Sequence, residues 1–499
     1  MRPGGRGPRV PPEELAREAP SSRAGDPERA RPRVALLSPY WEFFEPNVPF
    51  DLRADRRALA DAVAAELDGV EVVVSELVDG RETGAAAAER IAASDADALV
   101  VVQSMAVPPA YALAALDALP ALPLVVFVVQ RRDRLGDAFS HADITTDGAT
   151  VGGPQLTNVL VRRGRAHALV AGRLHDPACV AELRTEVRAA AVAGRLRGAR
   201  IGRVGQPIDG YDCVDCDDDA LLAATGIMLV PIAPGEVRDA YLAAPADAAI
   251  DAEVRAGFQL APGVEDDECL SRSVRFAAAL ERLDADLGLD AGAMNCHVRE
   301  IRFGEEPGIT PCFALGRETS RGIPWSCAGD VVTAVALLTT KLLGGAALYH
   351  EIEALDHETG EALIANSGEH DLAWADPARP VELRRNVWWD EADPRCGACA
   401  CFGPPAGRAT LVAFTPHPGE PSGFRYVIAE GELTARTFPQ TGTVNGAFRF
   451  GDGSVPVAQA WKAWAQAGAN HHSSATPGHL GDAVAAVAAQ LGVGAVRVS

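Results

Sequence analysis

From Arg33 onward, apolar and polar positions alternate between two periods. The segments 33–39 (RVALLSP) and 70–77 (VEVVVSEL) read as strands, and 97–104 (DALVVVQS) and 122–130 (LPLVVFVVQ) are short continuous apolar runs. Such runs are expected of strands covered on both faces. Between them, 53–67 (RADRRALADAVAAEL) and 83–94 (TGAAAAERIAAS) carry the period of amphipathic helices. A further helix at 154–164, a strand at 166–174 and a long helix from Pro177 to about Leu196 continue the series. Strands at 199–207 and 226–232 follow, then helical stretches to about Leu287. Strand and helix periods in alternation predict parallel sheets.

Past Pro324 the pattern changes. The segment 329–345 (GDVVTAVALLTTKLLGG) predicts a helix closed by a Gly-Gly stop, and 347–355 and 361–367 predict strands joined by DHETG. From Val381 to Phe450 the chain is strand-rich, with Gly, Pro and Asn punctuation and no clear helix, which suggests antiparallel pairing. Helices at 455–468 and 481–492 and a strand at 495–499 complete it. The expected fold is α/β. Two N-terminal parallel α/β domains, 33–172 and 173–345, precede a C-terminal domain, 346–499, with a large antiparallel β portion. Residues 1–32, rich in Arg and Pro with no apolar core, are expected to form a disordered tail and not a secretory signal.

Composition narrows the partners. The chain has 499 residues and a net charge of −22, which disfavours nucleic acid because phosphate backbones are repelled. Lys341 and Lys462 are its only lysines, so Schiff-base and P-loop chemistry have few candidates. The most apolar region, Ala98 to Val129, is interrupted by Gln103, Asp117 and four prolines, and no membrane span is expected. Ten scattered cysteines fit a reducing compartment, and the cytoplasm is the expected location. Cys213 and Cys216 form one C-x-x-C; Cys396, Cys399 and Cys401 form C-x-x-C-x-C. The two groups fall in different predicted domains, so reduced, unliganded thiols are expected. The stretch GRVGQPIDG follows a strand but lacks the dinucleotide-binding spacing.

Carboxylates and histidines gather in the last third: Asp330; His350, Glu351 and Glu353; Asp356; Glu369, His370 and Asp371; and the pair His471–His472. On an extended strand Glu351 and Glu353 share one face, which is either solvated or turned to a polar cavity. Adjacent histidines on extended backbone point opposite ways, so at most one of His471 and His472 is expected to serve a given site.

Several of these segments, in order, resemble the L-arabinose isomerase and L-fucose isomerase superfamily over roughly 33–499. Residues 156–206 resemble the segment linking its first two domains. CAGDVVTAVALLTTKLLGG is similar to its helix beginning C-E-x-D or A-E-G-D, and ALYHEIEALDHETGEALIANSG to the strand pair bearing a catalytic carboxylate. AGANHHSSA resembles its G-x-x-H-H ending. The resemblance implies an aldose–ketose isomerase of trimer-based assembly, often hexameric, acting on a pentose or 6-deoxyhexose. It also implies a divalent cation, usually manganese, held by carboxylates and histidine. Proton transfer between C1 and C2 through an enediol needs an acid and a base, and the metal steadies the enediolate charge.

Carried over by residue, Glu351 matches the second carboxylate and His472, or His471, the C-terminal metal histidine. The first carboxylate is replaced by Ala328, and the third ligand falls near Asn366 or Ser367. Asp330 and Glu369 are then expected to complete an Asp330–Glu351–Glu369–His472 set, with Glu351, Asp330 and Glu369 as catalytic carboxylates. The alternatives are a sugar-binding homologue without isomerisation and a metal-dependent lyase or epimerase acting on a modified sugar.

Overall fold

The computed structural model describes residues 31–264, 268–386 and 396–498. All but the last two residues of the expected tail lie outside them. The chain divides into two compact units, one of residues 31–197 with 486–492 and the other of 198–485 with 493–498.

In the first unit β1 (Arg33–Pro39), β2 (Glu71–Val78), β3 (Ala98–Gln103), β4 (Leu124–Val129) and β5 (Ala168–Gly172) form a parallel sheet in the order β2-β1-β3-β4-β5. Successive side chains of a strand face opposite sides, and both sides are covered. Ala35, Leu37, Leu99 and Val101 pack with Ala87 and Ile91 of the helix Arg81–Ala93 and with Leu156 and Leu160 of Ala149–Arg162. Val34, Leu36, Val100 and Phe127 pack with Leu59 and Val63 of Leu52–Glu66 and with Leu183 and Val187 of Pro177–Leu196. This two-sided burial is why β4 is apolar at every position and β3 at every position but Gln103.

The second unit contains β6 (Arg200–Val204), β7 (Met228–Ile232), β8 (Phe258–Leu260), β9 (Ala291–Met294) and β10 (Trp325–Ser326). It continues with β11 (Leu348–Asp356), β12 (Glu361–Asn366), β13 (Val381–Arg385), β14 (Ala398–Cys401) and β15 (Gly407–Pro416). Its last strands are β16 (Phe424–Leu433), β17 (Val444–Phe450), β18 (His472–Pro477) and β19 (Gly494–Val498). A parallel sheet runs β10-β9-β6-β7, and a small mixed sheet runs β14-β13-β8. The largest sheet runs β15-β18-β11-β12-β17-β16-β19. Its β15–β16 pairing closes six of the strands into an antiparallel ring, and β19 adds in parallel to β16. Leu348, Ile364, Leu411, Val427, Phe448 and Ala475 form its core with Trp464 of the helix Val457–Gln466.

One helix sets up the site. Val331–Gly344 is buried along nearly its whole length, starts from an Asp330 cap and stops at Gly345, whose φ of 75° is a left-handed helix end that favours glycine. The architecture is thus mixed α/β, with parallel sheets and an antiparallel-rich one. No helix among the described residues is long and apolar enough to cross a membrane.

Candidate metal centre

Strands β11 and β18 pair antiparallel with Glu351 directly opposite His472, so their side chains share a face. Glu351 Oε1 lies 3.4 Å from His472 Nε2 and 3.9 Å from His471 Nε2. Among the described residues, Glu351, His471 and His472 are the group of three whose ligand atoms all fall within 4.8 Å of one another. The structure departs from the expectation that adjacent histidines point opposite ways, since both Nε2 atoms turn toward Glu351. His471 lies in a bend ahead of β18, outside the extended backbone that the expectation assumed. Asn470 makes the bend: its Oδ1 accepts from the His471 backbone N–H at 2.8 Å and from Nδ1 at 2.7 Å. The two imidazoles then lie nearly side by side, with ring centres 3.7 Å apart.

Each ligand atom has its other side tied down. His472 Nδ1 donates to Asp330 Oδ2 at 2.8 Å, and Asn366 Nδ2 donates to Glu351 Oε2 at 3.1 Å. With Nδ1 of both histidines engaged, both Nε2 atoms are turned to Glu351. A carboxylate or carbonyl behind a histidine fixes the ring and its tautomer, as at known metal sites.

Asp330 stands behind the histidine and not beside Glu351. Its Oδ1 accepts from the Thr333 backbone N–H at 2.8 Å. Its Oδ2 accepts from Thr333 Oγ1 at 2.8 Å, from Asn470 Nδ2 at 2.9 Å and from His472. Both oxygens are thus committed to capping the helix and orienting the pair. Glu369 is held elsewhere in the same neighbourhood. It is 1% exposed, and neither carboxylate oxygen has a hydrogen-bond partner. Gly368 ahead of it must be glycine, since a Cβ there would come within 2.8 Å of the Cβ of Cys312 and 2.7 Å of that of Cys399.

Electrostatics follow from this placement. Burial opposes charge on His472, but its bonds to Asp330 and Glu351 prevail and raise it to about 9. Burial likewise raises Glu351, and the hydrogen bond and charge of His472 outweigh it, so Glu351 stays below its usual range. His471 is lowered by burial and by the charge of His472. Glu369 is pushed up to about 7, chiefly by burial. His350 and His370 are driven down to about 4 by burial. They turn away from Glu351: His350 Nε2 meets Ser473 Oγ at 3.1 Å, and His370 Nε2 donates to the Asn366 carbonyl at 3.0 Å. Asp356 closes the turn after β11 through the backbone N–H groups of Glu358 and Thr359, and Asp371 pairs with Lys341.

The residues suit a divalent cation. Two imidazole nitrogens and one carboxylate oxygen converge, a donor set of the kind that binds such an ion. Two residues that the sequence does not place here lie beside His471: the Tyr211 ring meets it edge-on at 5.5 Å, and Cys213 Sγ lies 3.6 Å from its Nδ1. Tyr349 packs its ring 4.7 Å from His472. No family model matches the chain, and no curated protein matches it in sequence.

Proposed function

We propose that the chain is a divalent-metal-dependent aldose–ketose isomerase of a pentose or 6-deoxyhexose, a divergent relative of the L-arabinose and L-fucose isomerases in fold and chemistry. The observation that carries this reading is Glu351 Oε1 facing the Nε2 atoms of both His471 and His472, each ring anchored from behind. In this reading Glu351, His471 and His472 hold the cation and Asp330 orients His472. A divalent cation held there, manganese by resemblance, would supply Lewis acidity toward the sugar oxygens and the negative charge that develops on them. Glu369 moves the proton between C1 and C2, since a carboxyl titrating near 7 can both give and take one at neutral pH. The acidic surroundings favour an uncharged sugar. A cytoplasmic, trimer-based oligomer belongs to the same proposal and rests on the resemblance alone.

A second reading is a sugar-binding homologue that no longer isomerises. It is favoured by Ala328 at the place of the first family carboxylate and by the full commitment of Asp330 to its cap and to His472. Calorimetric titration with Mn²⁺ and Zn²⁺, followed by ketose detection across an aldose panel, separates the two. Metal binding with ketose formation supports the isomerase. Sugar binding without turnover supports the homologue. A protein that binds neither ion at millimolar concentration ends the metal reading.

A further inference from the structure

The parallel sheet β10-β9-β6-β7 reverses its direction of winding between β6 and β9. From β6 the chain crosses to β7 on one side, and after β9 it continues to β10 on the other. At such a reversal the outgoing loops part. A crevice then opens outside the carboxyl ends of the two strands, where open α/β sheets take their ligands. Two loops of this end reach the histidines that face Glu351. The loop after β6, 205–217, brings Tyr211 and Cys213 to His471. The loop after β10 carries Asp330, which holds His472. The strand order of one sheet and the donor set on another thus mark the same place.

The loop 205–217 is fixed at several points. Its Gln206 carbonyl accepts from Asn295 Nδ2 at 2.8 Å, and the Ile208 N–H donates to the Ala328 carbonyl at 3.3 Å. Pro207 lies against Gly329, where a Cβ would come within 3.0 Å of the proline Cα. Gly210, at φ 85°, turns the chain in the left-handed region that favours glycine, and the Tyr211 N–H closes the turn on the Ile208 carbonyl at 2.9 Å. Val214 is fully buried and anchors the short 3₁₀ helix Asp212–Val214 that follows. Between these fixed points Tyr211 keeps 39% of its surface open. Its ring meets His471 edge-on at 5.5 Å, yet that imidazole is oriented without it, because Asn470 Oδ1 engages Nδ1 at 2.7 Å. An open aromatic ring is thus held beside the donor set with no structural duty that accounts for its exposure.

We propose that Tyr211 is the residue on which the substrate's carbon chain rests, with the loop 205–217 as one wall of the sugar site at the β6/β9 reversal. The assignment rests on the reading of Glu351, His471 and His472 as the cation site of an aldose–ketose isomerase. A pentose or 6-deoxyhexose is polar at its hydroxyls and apolar along its C–H groups. The apolar side packs on an aromatic face while the hydroxyls keep polar partners, the usual division of labour in a small-molecule site. Tyr211 therefore adds affinity for the sugar and none for the cation.

The test titrates the full-length chain, saturated with Mn²⁺, with L-arabinitol and L-fucitol, open-chain alditols that cannot isomerise. Tyr211→Ala should lose about tenfold or more in alditol affinity, the loss expected of one buried aromatic contact, while Mn²⁺ affinity stays within about twofold. Tyr211→Phe keeps the ring and should bind both as wild type does. Nitration of the wild type with tetranitromethane gives a readout that depends on no variant. Of the six tyrosines Tyr211 is the exposed one, since Tyr111 is partly buried and the other four are buried. Saturating alditol should slow nitration of Tyr211 several-fold, read by peptide mass. Unchanged alditol affinity in Tyr211→Ala, or nitration indifferent to alditol, overturns the proposal. Equal losses of alditol and Mn²⁺ affinity would make Tyr211 a support for His471 and overturn it as well. If the wild type binds Mn²⁺ but neither alditol, the isomerase reading itself fails and takes this proposal with it, and that failure shows in the wild type before any variant is made.

Discussion

Glu351 and His472 face each other across the β11–β18 ladder, with Oε1 and Nε2 3.4 Å apart, and Asp330 grips the far side of the imidazole at 2.8 Å. The charge between two strands and a helix cap is therefore shared along one line. If this line is a metal centre, removing the charge of Glu351 should act on the metal before it acts on the fold. Glu351→Gln keeps the shape and the hydrogen bond with Asn366. It should weaken Zn²⁺ or Mn²⁺ binding by about 100-fold or more, since even the groups behind metal ligands contribute about 10–100-fold. Titration calorimetry measures this; an unchanged affinity would remove Glu351 from the ligand set.

Asp330 offers a test of two functions in one side chain. Asn can still cap the helix through Thr333 but cannot hold a protonated His472 as a carboxylate does. Asp330→Asn should cost about 10–100-fold in metal affinity with little loss of cap stability. Asp330→Ala should add about 0.5–2 kcal/mol of instability from the lost cap, and more because Asn470 and His472 lose their acceptor. Equal melting curves for the two variants would refute the capping half of this account.

Much of the fold is legible in the sequence because it rests on period. β4 is apolar at every position and β3 at every position but Gln103, since helices cover both faces, and the runs at 97–104 and 122–130 mark them directly. The short helix Ala110–Leu116 hides in the same apolar region, because its seven residues are too few to show a helical period against strands on either side. The site divides likewise. Glu351 and His472 are readable as types at a strand and a strand end. Asp330 as a cap is written in the Asp with Thr three residues later. The convergence of His471 is not readable, because it depends on Asn470 bending the chain. The approach of Cys213 to His471 joins residues 258 apart, and no local pattern carries that.

Glu369 predicts an unusual pH dependence of stability. Its folded-state value of about 7 lies above the ordinary carboxylate range. The folded chain therefore keeps a proton that the unfolded chain has lost. The stability tied to that proton is fully present below about 4.5 and fades as the pH rises through 7, by roughly 3 kcal/mol at most. Glu369→Gln removes the titration. Its melting temperature relative to wild type should climb between pH 4.5 and pH 8. A difference that stays flat over this range would show that Glu369 finds a partner for its charge.

His350 and His370 act with the opposite sign. Both are buried and lowered to about 4, so the folded chain holds them neutral while the unfolded chain binds protons below about 6.5. Their contribution is present above 6.5 and is lost as the pH falls toward 4, by a few kcal/mol. Denaturant melts from pH 7 to pH 4.5 should show wild type losing stability faster than His370→Gln. Parallel curves would mean that His370 takes up its proton without unfolding.

The last expectation concerns protons and the metal together. His472 is raised to about 9 by Asp330 and Glu351, so at pH 7 its Nε2 carries a proton that an incoming cation must displace. His471 lies below its usual value and is neutral there, so it releases none. Binding should therefore release close to one proton per ion at pH 7, and apparent affinity should rise about tenfold per pH unit between 7 and 8, levelling near 9. Titrations in buffers of different ionisation enthalpy count the proton directly. Asp330→Asn removes part of what holds the proton, so it should lower the count and flatten the slope even as it weakens binding. A cation that binds wild type without releasing a proton would have to sit away from His472 Nε2, and the geometry of Glu351 and the two histidines would then serve only the ion pair already in place.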